Sequence, residues 1–180
     1  MKKRIVFIVT CLAFSAATFG FGADLCSEFT KRKDYDKAIE ICSSMITAGQ
    51  GKAQTYNNRG LSYQAEKQFD EALSDFNKAI ELDSRYYHAY SNRGNVYKDK
   101  GQFEQALSDY NKAVELNPND PVAYYNIACI YSVQKSSEDA CAWLKKSIDR
   151  GFDKWEHIKK DIDFDNIRDA SCYKAIMADK

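Results

Sequence analysis

Along residues 53–120 the apolar and polar positions repeat at a spacing of 34 residues. The stretch AQTYNNRGLSYQAEKQFDEALSDFNKAIELDSRY lies without a gap on YHAYSNRGNVYKDKGQFEQALSDYNKAVELNPND. Tyr56, Gly60, Tyr63, Ala72 and Phe76 of the first copy match Tyr90, Gly94, Tyr97, Ala106 and Tyr110 of the second. This pattern predicts a helix-turn-helix unit that cannot bury its apolar face alone and therefore stacks on its copies. Gly60, Gly94, Ala72, Ala79, Ala106 and Ala113 are small where helices must approach, and the aromatics fill the space beside them, as native packing density requires. Aromatics in such slots bury area before they serve as a ligand cage.

The same frame extends in both directions. Downstream it finds Tyr124, Ala128, Tyr131, Ala140 and Leu144; upstream it finds Leu25, Cys26, Phe29, Tyr35, Ala38 and Cys42. The predicted fold is all-α, a right-handed α-solenoid with a clipped first repeat over 23–52, full repeats over 53–86 and 87–120, and a degenerate one over 121–154. Gly49, Gly51 and Gly101 mark turns, and Asp120 before Pro121 is an N-cap followed by a proline at the first helical position. After Ile148 the small slots disappear, and 155–180 reads as a helical cap over the last repeat's open face. Asp161, Asp163 and Asp165 in this tail read as caps of short helices, since no histidine, glycine-rich loop or metal spacing accompanies them.

One pair of slots varies together. The seventh and twenty-third hold Arg59 with Asp75, Arg93 with Asp109, Ile127 with Trp143, and Leu25 with Ile41, so both are charged or neither is. Arg59–Asp75 and Arg93–Asp109 are therefore expected to be partly buried ion pairs between the helices of a repeat, with solvated surface charges as the alternative. The eighth and twenty-fourth slots of the first repeat hold Cys26 and Cys42, which should face each other and form a disulfide, with Cys141–Cys172 as a further candidate.

An aromatic, a Gly, a Tyr, an Ala, a second aromatic and then Pro118 in the second copy resemble the tetratricopeptide repeat signature. The resemblance implies that stacked first helices line a concave groove for a peptide or partner segment. The groove residues it implies are Asn57, Asn58, Leu61, Asn92, Asn95, Lys98, Tyr125 and Asn126. Asn58, Asn92 and Asn126 share the sixth slot, a column similar to the asparagine ladder by which some members hold extended peptide. An amide both donates and accepts, so it can satisfy a peptide backbone whatever its side chains; the alternative is that each Asn bonds its own scaffold. Members that clamp a C-terminal carboxylate use several groove cations, whereas here Lys98 stands among Asn57, Ser91 and Tyr125. Three repeats offer a small surface, so affinity should be on the order of micromolar.

Residues 1–22 read as a cleaved signal peptide, with an uncleaved membrane anchor as the alternative: Lys2, Lys3 and Arg4, then an apolar run, then Gly20-Phe21-Gly22 before Ala23. A periplasmic or secreted location follows, without membrane insertion of the mature chain. Loss of the leader takes the charge from 26 basic against 26 acidic residues to 23 against 26, a balance that disfavours nucleic acid. It also removes Cys11 and leaves an odd number of cysteines, so one thiol is free or pairs between chains. No C-x-x-C occurs, and His88 and His157 stand apart from the cysteines, so no metal, cofactor or catalytic centre is expected. The expected function is a non-enzymatic binding module for a protein or peptide outside the cytoplasm; the alternative is a structural subunit of a larger envelope assembly.

Overall fold

The structure, a computed structural model, describes residues 21–178, with side chains from Leu25 onward. Of the signal peptide expected over 1–22, residues 1–20 lie outside the described residues, and the cleavage point expected after Gly22 falls in the first turn of α1.

Successive helices pack in pairs: α1 (Phe21–Lys31) with α2 (Tyr35–Thr47), α3 (Ala53–Ala65) with α4 (Phe69–Leu82), α5 (Tyr87–Asp99) with α6 (Phe103–Leu116), and α7 (Pro121–Val133) with α8 (Ser137–Asp149). The first pair is fuller than the clipped repeat expected from Ala23, because α1 runs back to Phe21. α9 (Trp155–Lys160), a 3-10 helix (Ile162–Ile167) and α10 (Ser171–Met177) follow.

The turn inside each pair is built the same way. Lys33, Lys67, Gly101 and Lys135 occupy one slot of the repeat, with φ of 62°, 59°, 72° and 62°. In each turn the left-handed residue and its successor donate back into the preceding helix, as Lys67 to Gln64 and Gln68 to Tyr63 do, which satisfies the last carbonyls. Asp120 accepts from the Val122 N–H at 3.0 Å and starts α7 ahead of Pro121.

Packing within the pairs centres on the eighth and twenty-fourth slots. A Cβ on Gly60 would stand 2.8 Å from the Phe76 ring, and one on Gly94 would stand 2.7 Å from the Tyr110 ring. Phe76 and Tyr110 are fully buried, each contributing roughly 2–3 kcal/mol of burial free energy. In the fourth pair Ala128 faces the smaller Leu144, and in the first the same two slots hold the Cys26–Cys42 disulfide, with Cα atoms 5.3 Å apart.

The C-terminal elements close the last repeat. Phe152, Ile158, Phe164, Ile167 and Tyr173 join Tyr125, Ala128 and Leu144 in one buried cluster, and a Cys141–Cys172 disulfide ties α10 to α8. Arg168 donates to the Asp161 and Lys159 carbonyls, pinning the 3-10 helix against α9. The cap does more than cover an end: its 3-10 helix packs on α7, a first helix.

Candidate peptide-binding groove

The first helices α1, α3, α5 and α7 touch in succession and form the inner face. Behind it, Arg59 donates from Nε and Nη2 to both carboxylate oxygens of Asp75 at 2.7 Å each, and Arg93 does the same to Asp109 at 2.8 and 2.6 Å. Asp75 and Asp109 are buried, while the arginines keep about a fifth of their side chains in solvent. Each guanidinium also lies near two tyrosine rings, Tyr56 and Tyr63 for Arg59 and Tyr90 and Tyr97 for Arg93. Nη1 of Arg59 reaches Ser43, and that of Arg93 reaches Asn77, both on the second helix of the preceding pair. One arginine thus joins three helices and sets the angle between repeats. In the fourth pair Ile127 and Trp143 occupy the two slots and share an apolar cluster.

The inner face does not present all the residues assigned to it. Asn57, expected to line the groove, is 3% exposed, and its Oδ1 accepts from Asn92 Nδ2 at 2.8 Å. The fifth slot is therefore turned toward the next first helix rather than toward solvent. Asn126 Nδ2 donates to Asn95 Oδ1 at 3.1 Å, and the same oxygen accepts from the buried Tyr110 hydroxyl at 2.8 Å. Asn92, Asn95 and Asn126 remain half-buried, each with hydrogen-bonding capacity beyond these bonds. The Asn58 side chain has no hydrogen-bond partner among the described residues. With Leu61, Thr30, Tyr35, Lys31 and Lys33 it lines a cleft of ≈ 380 Å³ at the N-terminal end of the face.

The other end is filled from within. Tyr125, also expected in the groove, is 4% exposed, stacked on Phe152 at 4.3 Å, and its hydroxyl donates to Asp161 Oδ2 at 2.5 Å. Lys98, the expected groove cation, lies 2.6 Å from Asp163. Burial lowers the pKa of the Lys98 ammonium, but the hydrogen bond and charge of Asp163 outweigh it and leave it raised. The Cys129 thiol is buried with its sulfur 3.9 Å from Asp161, and burial followed by that carboxylate holds its pKa well up, so it stays protonated. Cys129, Asp161 and Asp163 bring possible ligand atoms within 4.8 Å of one another, but a cation there would have to displace the Lys98 ammonium.

The sequence points to Asp161 as a helix cap, and it does accept from the Asp163 N–H. Its second oxygen takes the Tyr125 hydroxyl, a contact without a local sequence signal, as the partners lie 36 residues apart.

Tetratricopeptide repeat profiles match residues 53–86, 76–108 and 121–150, and a TPR repeat profile matches 94–134, together spanning 53–150. The chain belongs to the tetratricopeptide repeat family. No curated protein matches it. Among solved structures, MamA is 22% identical, with a TM-score of 0.66 over 73% of this chain and 77% of that one. YrrB, described as a TPR protein with an unusual peptide-binding site, is 22% identical with a TM-score of 0.65 over 81% and 76%. The first TPR of Spaghetti (RPAP3), bound to the HSP90 peptide SRMEEVD, is 28% identical with a TM-score of 0.60 over 65% and 93%. They share the solenoid fold of this chain.

Proposed function

We propose that this TPR protein is an exported, non-enzymatic interaction module that holds an extended peptide or a partner's extended segment along α1, α3, α5 and the exposed part of α7. The observation that carries the reading is the row of half-exposed amides Asn58, Asn92 and Asn126, on consecutive first helices and with hydrogen-bonding capacity left over. Such groups suit recognition of a peptide backbone, because each offers both a donor and an acceptor. The cleft beside Asn58 and Leu61 gives an apolar side chain a seat. The Spaghetti TPR bound to an HSP90 peptide and the peptide-binding site of YrrB support a peptide ligand.

Export is supported by the charged, apolar and small-residue layout of residues 1–22 and by two disulfides, which suit an oxidising compartment. No described helix is long and apolar enough to cross a membrane. The slightly acidic mature balance argues against a nucleic-acid ligand.

The test is equilibrium titration of the chain from Ala23 with peptides selected from a random library. Backbone capture predicts that N-methylation of the central peptide amides removes binding, while side-chain changes and added salt alter it little. Binding that survives N-methylation and vanishes on loss of a ligand charge would reject it.

A further inference from the structure

The cap segment lies on a surface that the fold otherwise leaves open for ligands. Asp163 bonds Lys98 of α5, Asp161 bonds Tyr125 of α7, and Asn166 donates to the Val133 carbonyl at 3.4 Å. Beneath it lies the buried Cys129 thiol. Ile162, between the two carboxylates, is 77% exposed, while Phe164 and Ile167 are buried in the cap cluster and are the segment's apolar anchors. The covalent tie between cap and solenoid among the described residues is Cys141–Cys172.

The two disulfides differ in access. Cys26 and Cys42 are fully buried. Cys141 is buried, but Cys172 is partly exposed on α10, a helix of seven residues. Thiol–disulfide exchange needs a thiolate to reach a sulfur, so a reductant meets Cys172 first.

We propose that the segment 161–167 is a displaceable occupant of the inner face and that the Cys141–Cys172 disulfide is its clasp, so that reduction by a dithiol opens the α7 end of the groove. One dithiol thiolate attacks Cys172 Sγ, forming a mixed disulfide, and Cys141 leaves as a thiolate that takes up a proton. The second dithiol sulfur then attacks the mixed disulfide, releasing Cys172 as a thiol. The dithiol is oxidised to its disulfide, and two electrons and two protons end on the protein sulfurs. Removing the link relaxes a loop of 31 residues and raises the entropy of the undocked cap. Short helices such as α9 and α10 do not persist in water without packing. Undocking the segment takes the carboxylate away from the Lys98 ammonium, which water must then solvate. That the opened surface takes a ligand rests on the groove-binding reading.

The test treats the full mature chain with increasing dithiothreitol, without denaturant, followed by alkylation, peptide mapping and amide hydrogen exchange. The expected result is that Cys141 and Cys172 become labelled while Cys26–Cys42 stays intact. Cys129 labelling then speeds up by roughly tenfold or more, exchange rises across 161–177, and 53–116 is unchanged. The double variant Cys141→Ser/Cys172→Ser should label at Cys129 without reductant. If Cys129 and 161–167 stay protected once Cys141–Cys172 is fully reduced, the segment is a permanent cap and the proposal fails. It fails equally if Cys26–Cys42 is reduced first or if 53–116 loses protection at the same step. No ligand enters the measurement, so its failure is separate from failure of the peptide-binding reading.

Discussion

Asn92 of α5 donates its side-chain amide to the buried Asn57 oxygen of α3 at 2.8 Å, which divides neighbouring asparagines into scaffold and surface. Asn57→Ala should lower stability by about 1–2 kcal/mol, since a buried bond and its packing are lost. Asn58→Ala should leave the melting temperature unchanged, because its side chain bonds nothing described in the fold. Thermal denaturation of the two single variants checks this; equal losses would mean that Asn58 is as structural as Asn57.

The Arg93–Asp109 pair predicts a strongly non-additive cycle. Asp109→Ala strands an arginine four-fifths buried among Tyr90, Tyr97 and Asn77, and should cost about 2–4 kcal/mol. Arg93→Ile with Asp109→Trp copies the fourth repeat and should recover a large part of that loss. Urea denaturation of both singles and the double gives the coupling, and additive losses would show that the pair carries no energy of its own.

Gly94 and Tyr110 make a second such cycle. The Tyr110 ring is fully buried and cannot swing away, so Gly94→Ala should destabilise by about 1–3 kcal/mol through overpacking. Adding Tyr110→Leu, as Leu144 faces Ala128 in the fourth repeat, should relieve the clash. A double variant less stable than either single would contradict this, with the loss of the Tyr110–Asn95 bond setting the limit of recovery.

The slot shared by Lys67 and Gly101 isolates backbone conformation from packing, since a Cβ on Gly101 would meet nothing within 4 Å. Gly101→Ala should cost about 1 kcal/mol for a left-handed alanine, and Lys67→Gly should be neutral or slightly stabilising. Chemical denaturation midpoints decide the order; a stabilising Gly101→Ala would mean that the turn has a different shape in solution.

Much of this architecture is legible in the sequence because each repeat solves the same packing problem. Slots that touch change together, as Arg with Asp or Gly with a large aromatic, so contact leaves a trace in the spacing. Asn57 escapes that logic: the fifth and sixth slots are adjacent on the helix, and only the angle between α3 and α5 turns one inward and leaves the other half-open. The docking of the cap is less legible still. Asp161 and Asp163 sit in a stretch without a repeat, and their partners Tyr125 and Lys98 are identified by the path of the chain after Gly151, whose φ is 96°.

The most direct measurement of the central claim is calorimetric titration of a library-selected peptide into the mature chain and its Asn58→Ala/Asn126→Ala variant. Asn92 is left intact because its loss would orphan the buried Asn57 oxygen, whereas Asn95 keeps the Tyr110 hydroxyl when Asn126 is changed. Two lost hydrogen bonds to the ligand predict a loss of about 2 kcal/mol, roughly thirtyfold in Kd, at an unchanged melting temperature. Undiminished affinity in a variant that melts at a clearly lower temperature would contradict the account and make the asparagines part of the scaffold.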